Sequence, residues 1–257
     1  MSTVFDDYWL NSREPNEILI RYHPVKGKPL EISSSKFELA ASRAAWLLRN
    51  AGIEAGDFFV LGFGENTVED LAFRLGAIRV GAIPVTVNWQ ADSYERILFK
   101  LQSTGAKAWV SHSSFQPEFW IALQNELSDI EIICAEEVWD EATESDYGEP
   151  VALSGKDSRL VLFTSGTTGT PKAVVHSFEN YRQNRLCFES FLEVNLNSRL
   201  VLAVVNPLHH ANSSAISDWA LRRPNTTIEL FSKYSRSYWE RLSQLGRADN
   251  RVVAPLV

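Results

Sequence analysis

The order of apolar and polar positions predicts a chain in which strands and helices take turns. Ile18, Ile20 and Tyr22 alternate with Leu19 and Arg21, and Leu30-Glu31-Ile32 alternates again beyond Pro24–Pro29, which reads as an opening hairpin. Ser35-Lys36-Phe37-Glu38 has the spacing of a capping box, and Phe37, Ala40, Ala41, Ala44, Leu47 and Leu48 follow on one helical face up to Asn50-Ala51-Gly52. Short apolar runs then predict strands at Phe58–Phe63, Ile83–Val87, Ala108–Ser111 and Ile130–Cys134. Between them, Asn66–Val80, Asp92–Thr104 (capped by Asp92 and Glu95, closed by Gly105) and Glu118–Glu126 read as helices. Pro84 weakens its strand or places it near an edge, because proline has no N–H to give to a ladder. Further strands are expected at Arg159–Phe163, Ala173–Val175, Leu200–Val205, Thr227–Phe231 and Arg251–Ala254, with helices over Ser177–Glu189 and Tyr238–Leu245. Strands alternating with helices of this length imply parallel βαβ units, hence an α/β fold of mostly parallel sheets layered with helices.

The break in this pattern is Glu136–Glu149, which carries Glu136, Glu137, Asp140, Glu141, Glu144, Asp146 and Glu149. Such a run is either a cation site or a solvated connection, and the second is favoured. It divides the chain into a first α/β subdomain (1–135), an acidic connecting loop (136–157) and a second α/β subdomain (158–257). The apolar ending Pro255-Leu256-Val257, straight out of a predicted strand, leads to the expectation that this second subdomain is incomplete at its C-terminus.

Length and composition narrow the partners. The 257 residues are 45% apolar and 22% charged, as in ordinary globular proteins, which sets aside disordered, collagen-like and disulfide-framework classes. A net charge of −7 gives no reason to bind a phosphodiester backbone, so no nucleic acid is expected. Cys134 and Cys187 lie in apolar runs and are expected as buried free thiols in a reducing compartment. No apolar stretch is long enough to span a bilayer, and the acidic N-terminus has no secretory signal, so a cytoplasmic location is expected.

The candidate chemistry begins at Phe163-Thr164-Ser165-Gly166-Thr167-Thr168-Gly169-Thr170-Pro171-Lys172, directly after a predicted strand. The glycines allow a tight turn that brings N–H groups near a ligand, the hydroxyls of Thr164, Ser165, Thr167, Thr168 and Thr170 add neutral donors, and Lys172 adds a cation. Together they suit a polyphosphate. The run is not a Walker A loop, because Lys172 follows Pro171 and precedes Ala173. A second motif is Asn206-Pro207-Leu208-His209-His210-Ala211-Asn212, again after a strand. Adjacent histidines can hold a metal, pack as core or wall a ligand pocket; with no carboxylate or cysteine at ligand spacing, no metal ligand is assigned.

At Thr164–Lys172 the chain resembles the adenylate-forming superfamily (acyl- and aryl-CoA ligases, luciferase, peptide-synthetase adenylation domains), departing at Ala173, where the family has glycine. Ser35–Asp57, Leu75–Val85 and Leu101–Val110 resemble successive family segments in the same order, so the likeness runs through the chain. It implies the front half of the family's large N-terminal domain, and activation of a carboxylic acid with ATP and Mg2+ to an acyl-adenylate, then transfer to a thiol such as coenzyme A. It further implies that Thr164, Ser165, Gly166, Thr167, Thr168, Gly169 and Lys172 hold the phosphates and that His209, His210 and Asn212 line the acyl pocket. Lys172 and His210 are then the residues nearest the chemistry, whereas His176, also common in the family, is read as packing. The family's Tyr-Gly-x-Thr-Glu segment has no counterpart here, so the chain is expected to be the N-terminal portion of a ligase, one half of a split enzyme, or a non-catalytic nucleotide-binding remnant. Exposed apolar surface on such a half-fold leads to an expected homo-oligomer or a chain supplying the missing part.

Overall fold

A computed structural model describes residues 4–8, 13–114, 117–140, 148–164, 171–247 and 251–254. In chain order the elements are β1 (Ile18–His23), β2 (Leu30–Ser33), α1 (Ser34–Asn50), β3 (Phe58–Leu61), α2 (Val68–Val80), β4 (Ile83–Thr86), α3 (Tyr94–Thr104), β5 (Ala108–Ser111), α4 (Pro117–Glu126) and β6 (Glu131–Cys134). They continue with β7 (Ser158–Thr164), β8 (Lys172–Ser177), α5 (Phe178–Phe191), β9 (Leu200–Val204), α6 (Ala211–Leu221), β10 (Thr226–Phe231), α7 (Arg236–Leu245) and β11 (Arg251–Val253). The α/β expectation is borne out. Two compact units form, one from Met1–Glu38, Glu65–Val68 and Glu179–Val257, the other from Leu39–Gly64 and Glu69–Phe178.

The first unit holds a five-stranded sheet in the order β11-β9-β10-β1-β2, parallel except for the β1–β2 hairpin. Its strands bury Leu19, Ile20, Leu202, Ala203, Ile228 and Leu230. The helix after the hairpin starts earlier than its sequence pattern suggests. Ser33 Oγ accepts the Lys36 N–H at 3.2 Å as the N-cap, while Ser35 Oγ donates to the Pro15 carbonyl, so the Ser35–Glu38 box is not the cap.

The second unit holds a six-stranded sheet in the order β6-β5-β3-β4-β7-β8, parallel except for the β7–β8 hairpin. Val60, Val85, Trp109 and Val161 form its core with Leu101 and Leu123. Pro84 sits not at an edge but between β3 and β7. The Ile83 N–H donates to Asp57 on the β3 side, so the next residue's nitrogen faces β7, where the register is the single pair Val85↔Val161. The missing donor thus falls where the pairing is thinnest. α3 ends as expected at Gly105, left-handed with φ 64°. Its N-cap is Ser93, and Asp92 instead pairs with Lys100 and accepts the Asn88 N–H. The acidic stretch begins as a 3-10 turn, Ala135–Trp139, with Ala135 and Val138 buried; Glu141, Glu144 and Asp146 lie outside the described residues.

Gly76 lets α2 approach α1: a Cβ there would stand 2.7 Å from the Ala41 carbonyl oxygen and 2.8 Å from the Ala45 nitrogen. Both are backbone atoms, so the helices would have to part. Gly76→Ala is therefore expected to destabilise the protein by about 1–3 kcal/mol, despite a helix-propensity gain of about 1 kcal/mol, read as a lower urea midpoint.

The cysteines are free, but neither is buried as expected. Cys134 is half-buried and donates to Glu136, and burial with that carboxylate raises its pKa to about 11. Cys187 is exposed, because α5 turns Tyr181, Arg185 and Phe188 inward and the 3.6-residue period leaves Leu186 and Cys187 outside that stripe. Among the described residues no helix is long and apolar enough to cross a membrane.

Candidate functional site

The hydroxyl-rich run joins β7 to β8. β7 is buried from Arg159 to Leu162, half-buried at Phe163 and exposed at Thr164, so the strand carries its last residue out to solvent. It returns as β8, with Lys172 directly opposite Thr164 and Ala173 opposite Phe163. Lys172 is exposed. The two ends of the run are thus held side by side by an antiparallel ladder. Ser165, Gly166, Thr167, Thr168 and Gly169 lie outside the described residues. The outgoing strand is braced from behind: Lys100, buried and paired with Asp92, stands 4.9 Å over the Phe163 ring. His176 sits in register with Leu160, and its partial burial lowers its pKa.

The histidine motif occupies the turn between β9 and α6, in the other unit. Val205 and Leu208 are buried, Asn206 and Pro207 half-buried. The His210 N–H donates to the Pro207 carbonyl at 3.0 Å, and the His210 carbonyl accepts the Ser214 N–H, which makes His210 the N-cap of α6. The rings of His209 and His210 lie 4.4 Å apart at 50°. His209 is half-buried, whereas His210 is exposed, and the part of its ring that is covered lowers its pKa. Asn212 stands half-buried in the first turn of the helix. Among the described residues no group of three His, Cys, Asp or Glu side chains gathers as a cation site.

The structure adds two features that the motifs did not point to. A cleft of about 460 Å³ opens between α7 and the sheet of its unit, walled by Arg21, Arg199, Glu229, Arg241 and Gln244, and none of the sequence candidates lines it. The second is Asn66, read from the sequence as a helix start. It lies buried two residues before α2, hydrogen-bonded to the turn that carries the histidines.

With this geometry in hand, the comparisons give the class. Residues 11–223 match the family model described as AMP-binding enzyme, and the chain belongs to that family. Among curated relatives it is similar to long-chain-fatty-acid–CoA ligase FadD13 of Mycobacterium tuberculosis, 26% identical over 206 residues, and to crotonobetaine/carnitine–CoA ligase of Escherichia fergusonii, 29% identical over 212 residues. The matches cover 78% and 77% of this chain but only 40% of either relative's length. Among solved structures, the N-terminal domain of FACL13 from M. tuberculosis aligns with a TM-score of 0.79 at 22% identity, covering 96% of this chain and 62% of that one. O-succinylbenzoate coenzyme A synthetase (MenE) of Bacillus subtilis, solved in complex with ATP and magnesium ion, aligns with a TM-score of 0.76 at 20% identity, covering 95% and 62%. These structures share the fold with this chain.

Proposed function

We propose that this chain carries the phosphate-holding and acyl-facing parts of an AMP-forming acid–thiol ligase. The observation that carries the reading is the run Thr164–Lys172, which combines glycines, hydroxyls and a lysine, has its ends clamped by the β7–β8 ladder, and falls inside the family match. In the proposed reaction a carboxylate oxygen attacks the α-phosphorus of ATP, the bond to the bridging oxygen breaks and pyrophosphate leaves. The acyl-adenylate then passes its acyl group to a thiol, releasing AMP. Such an in-line displacement needs positioning and charge neutralisation more than covalent help from the protein. Thr164, Ser165, Gly166, Thr167, Thr168, Gly169 and Lys172 hold the phosphates in this reading, and Lys172 neutralises the leaving oxygens. His209, His210 and Asn212 face the acid, with His210 placed by its N-cap position.

Mg2+ belongs to the reading as the companion of the triphosphate, where it neutralises oxygen charge; no protein ligand is assigned to it. Coenzyme A as acceptor is supported by the relatives' names, which share CoA and differ in the acid. A cytoplasmic setting goes with that acceptor. Exposed Val174, Val175 and Phe191 support association with a second copy or a completing chain.

Pyrophosphate exchange into ATP, run over a panel of carboxylic acids with the chain joined to the remaining portion of a relative, tests the reading. Exchange that requires both the chain and one acid class is expected. ATP binding with no exchange for any acid would replace the ligase by a nucleotide-binding module, and no ATP binding would overturn both.

A further inference from the structure

Beyond the last register pair of β9 and β10, Leu230↔Val204, the two strands stop bonding to each other. The Val205 and Phe231 carbonyls lie one residue past it, and the turn to the histidines begins there. A single side chain takes over. Asn66 Nδ2 donates to the carbonyls of Phe231 at 3.0 Å, Asn206 at 3.1 Å and Val205 at 3.4 Å, while its Oδ1 accepts the Leu208 N–H at 2.8 Å. Its own N–H donates to the Ser232 carbonyl at 3.0 Å. The residue is 1% exposed, so water does not supply these partners. A primary amide carries the same donor and acceptor pair as a peptide group, so Asn66 acts as one more rung of the ladder, inserted where the strands end.

This rung fixes more than the strands. Asn206 and Leu208 flank Pro207, and the Pro207 carbonyl accepts the N–H of His210, the first residue of the α6 cap. The amide therefore fixes the turn on both sides of the atom that anchors His210. We propose that Asn66 is a positioning residue that sets where the His209–His210 turn presents its rings. Its bearing on acid binding rests on the reading that His210 meets the acid; its bearing on the turn does not.

The test uses Asn66→Ala and Asn66→Ser in the full 257-residue chain. Alanine removes both functions of the amide, and serine keeps one short donor and acceptor. The first readout is the Cε1–H resonance of His210 followed by NMR through a pH titration, which needs neither ATP nor acid. His176, on β8, is the internal control. In the folded variants the His210 resonance is expected to move and its midpoint to rise toward the ordinary value of about 6.5, more for alanine than for serine, while His176 keeps its own. The second readout is the exchange assay, in which KM for the acid is expected to rise about tenfold with KM for ATP unchanged, the loss of about one good hydrogen bond's worth of placement. A His210 resonance unchanged in folded variants overturns the proposal. So does failure of both variants to fold, or an equal change at His176, since either makes Asn66 a residue of general stability. Movement of His210 with no acid-dependent exchange in the parent chain joined to the remaining portion of a relative keeps the positioning role and removes the ligase reading.

Discussion

Lys172→Ala is expected to weaken MgATP binding by about tenfold to a hundredfold while leaving the denaturation midpoint unchanged. The size follows from the chemistry. A hydrogen bond to a charged group contributes roughly 1.5–3 kcal/mol, and the remaining donors of the run are neutral hydroxyls and N–H groups. The lack of a stability cost follows from the fold. Lys172 is exposed at the first position of β8, and its ladder pairing with Thr164 uses backbone atoms that alanine retains. Calorimetric titration with MgATP beside urea denaturation separates the two effects. Equal affinity in the two proteins would remove the lysine from the phosphate assignment.

Glu229→Gln is expected to have the opposite signature, a large loss of stability from a position outside the sequence candidates. Glu229 is fully buried on β10 and accepts hydrogen bonds at 2.6 Å from Arg21, Arg241 and His23. Burial alone would raise its pKa, but the bonds from His23 and Arg241 and the charges of Arg21 and Arg241 outweigh it and bring the pKa from 4.5 to about 2. A carboxyl depressed in the folded state stabilises the protein above its unfolded pKa, and that contribution is lost as pH falls from about 4.5 to about 2. The depression corresponds to roughly 3 kcal/mol. Glutamine removes the charge, leaves the half-buried Arg241 guanidinium without this counter-ion and leaves Arg21 with Glu31 alone, for which a loss of about 1.5–3 kcal/mol is expected. Urea denaturation at pH 7 and pH 3 checks both halves: the parent loses stability on acidification, and the variant starts lower and changes less. A variant as stable as the parent at pH 7 would contradict the account of this cluster.

The strand and helix alternation was legible because most elements bury one face and so carry a period. Phe37, Ala40, Ala41, Ala44, Leu47 and Leu48 are all buried, as their spacing implies. α6 was missed for the converse reason. It is buried continuously from Ser213 to Leu221, so it has no polar face and no period, and its serines argue against a helix. Their hydroxyls are used internally: Ser217 bonds the Ser213 carbonyl, and Ser214 bonds Tyr181. Sheet membership was not legible either, since β1 pairs with β10 and β4 with β7 across long stretches of chain, which no local pattern records. The candidate site divides the same way. The residues that would touch a ligand form compact runs, Thr164–Lys172 and Asn206–Asn212, and could be read directly. Asn66 could not, because its partners are backbone groups of segments far away in sequence, and an asparagine before a helix reads locally as a cap.

In the proposed reading, the β7–β8 connection grips the phosphates of a nucleotide. Backbone amide NMR of the isotope-labelled chain during titration with MgATP reads that grip residue by residue. Saturable shifts at Gly166, Gly169 and Lys172 that weaken with Lys172→Ala are expected. Shifts confined to other parts of the chain, such as the cleft around Arg199 and Arg241, or no saturable shift at all, would contradict that reading.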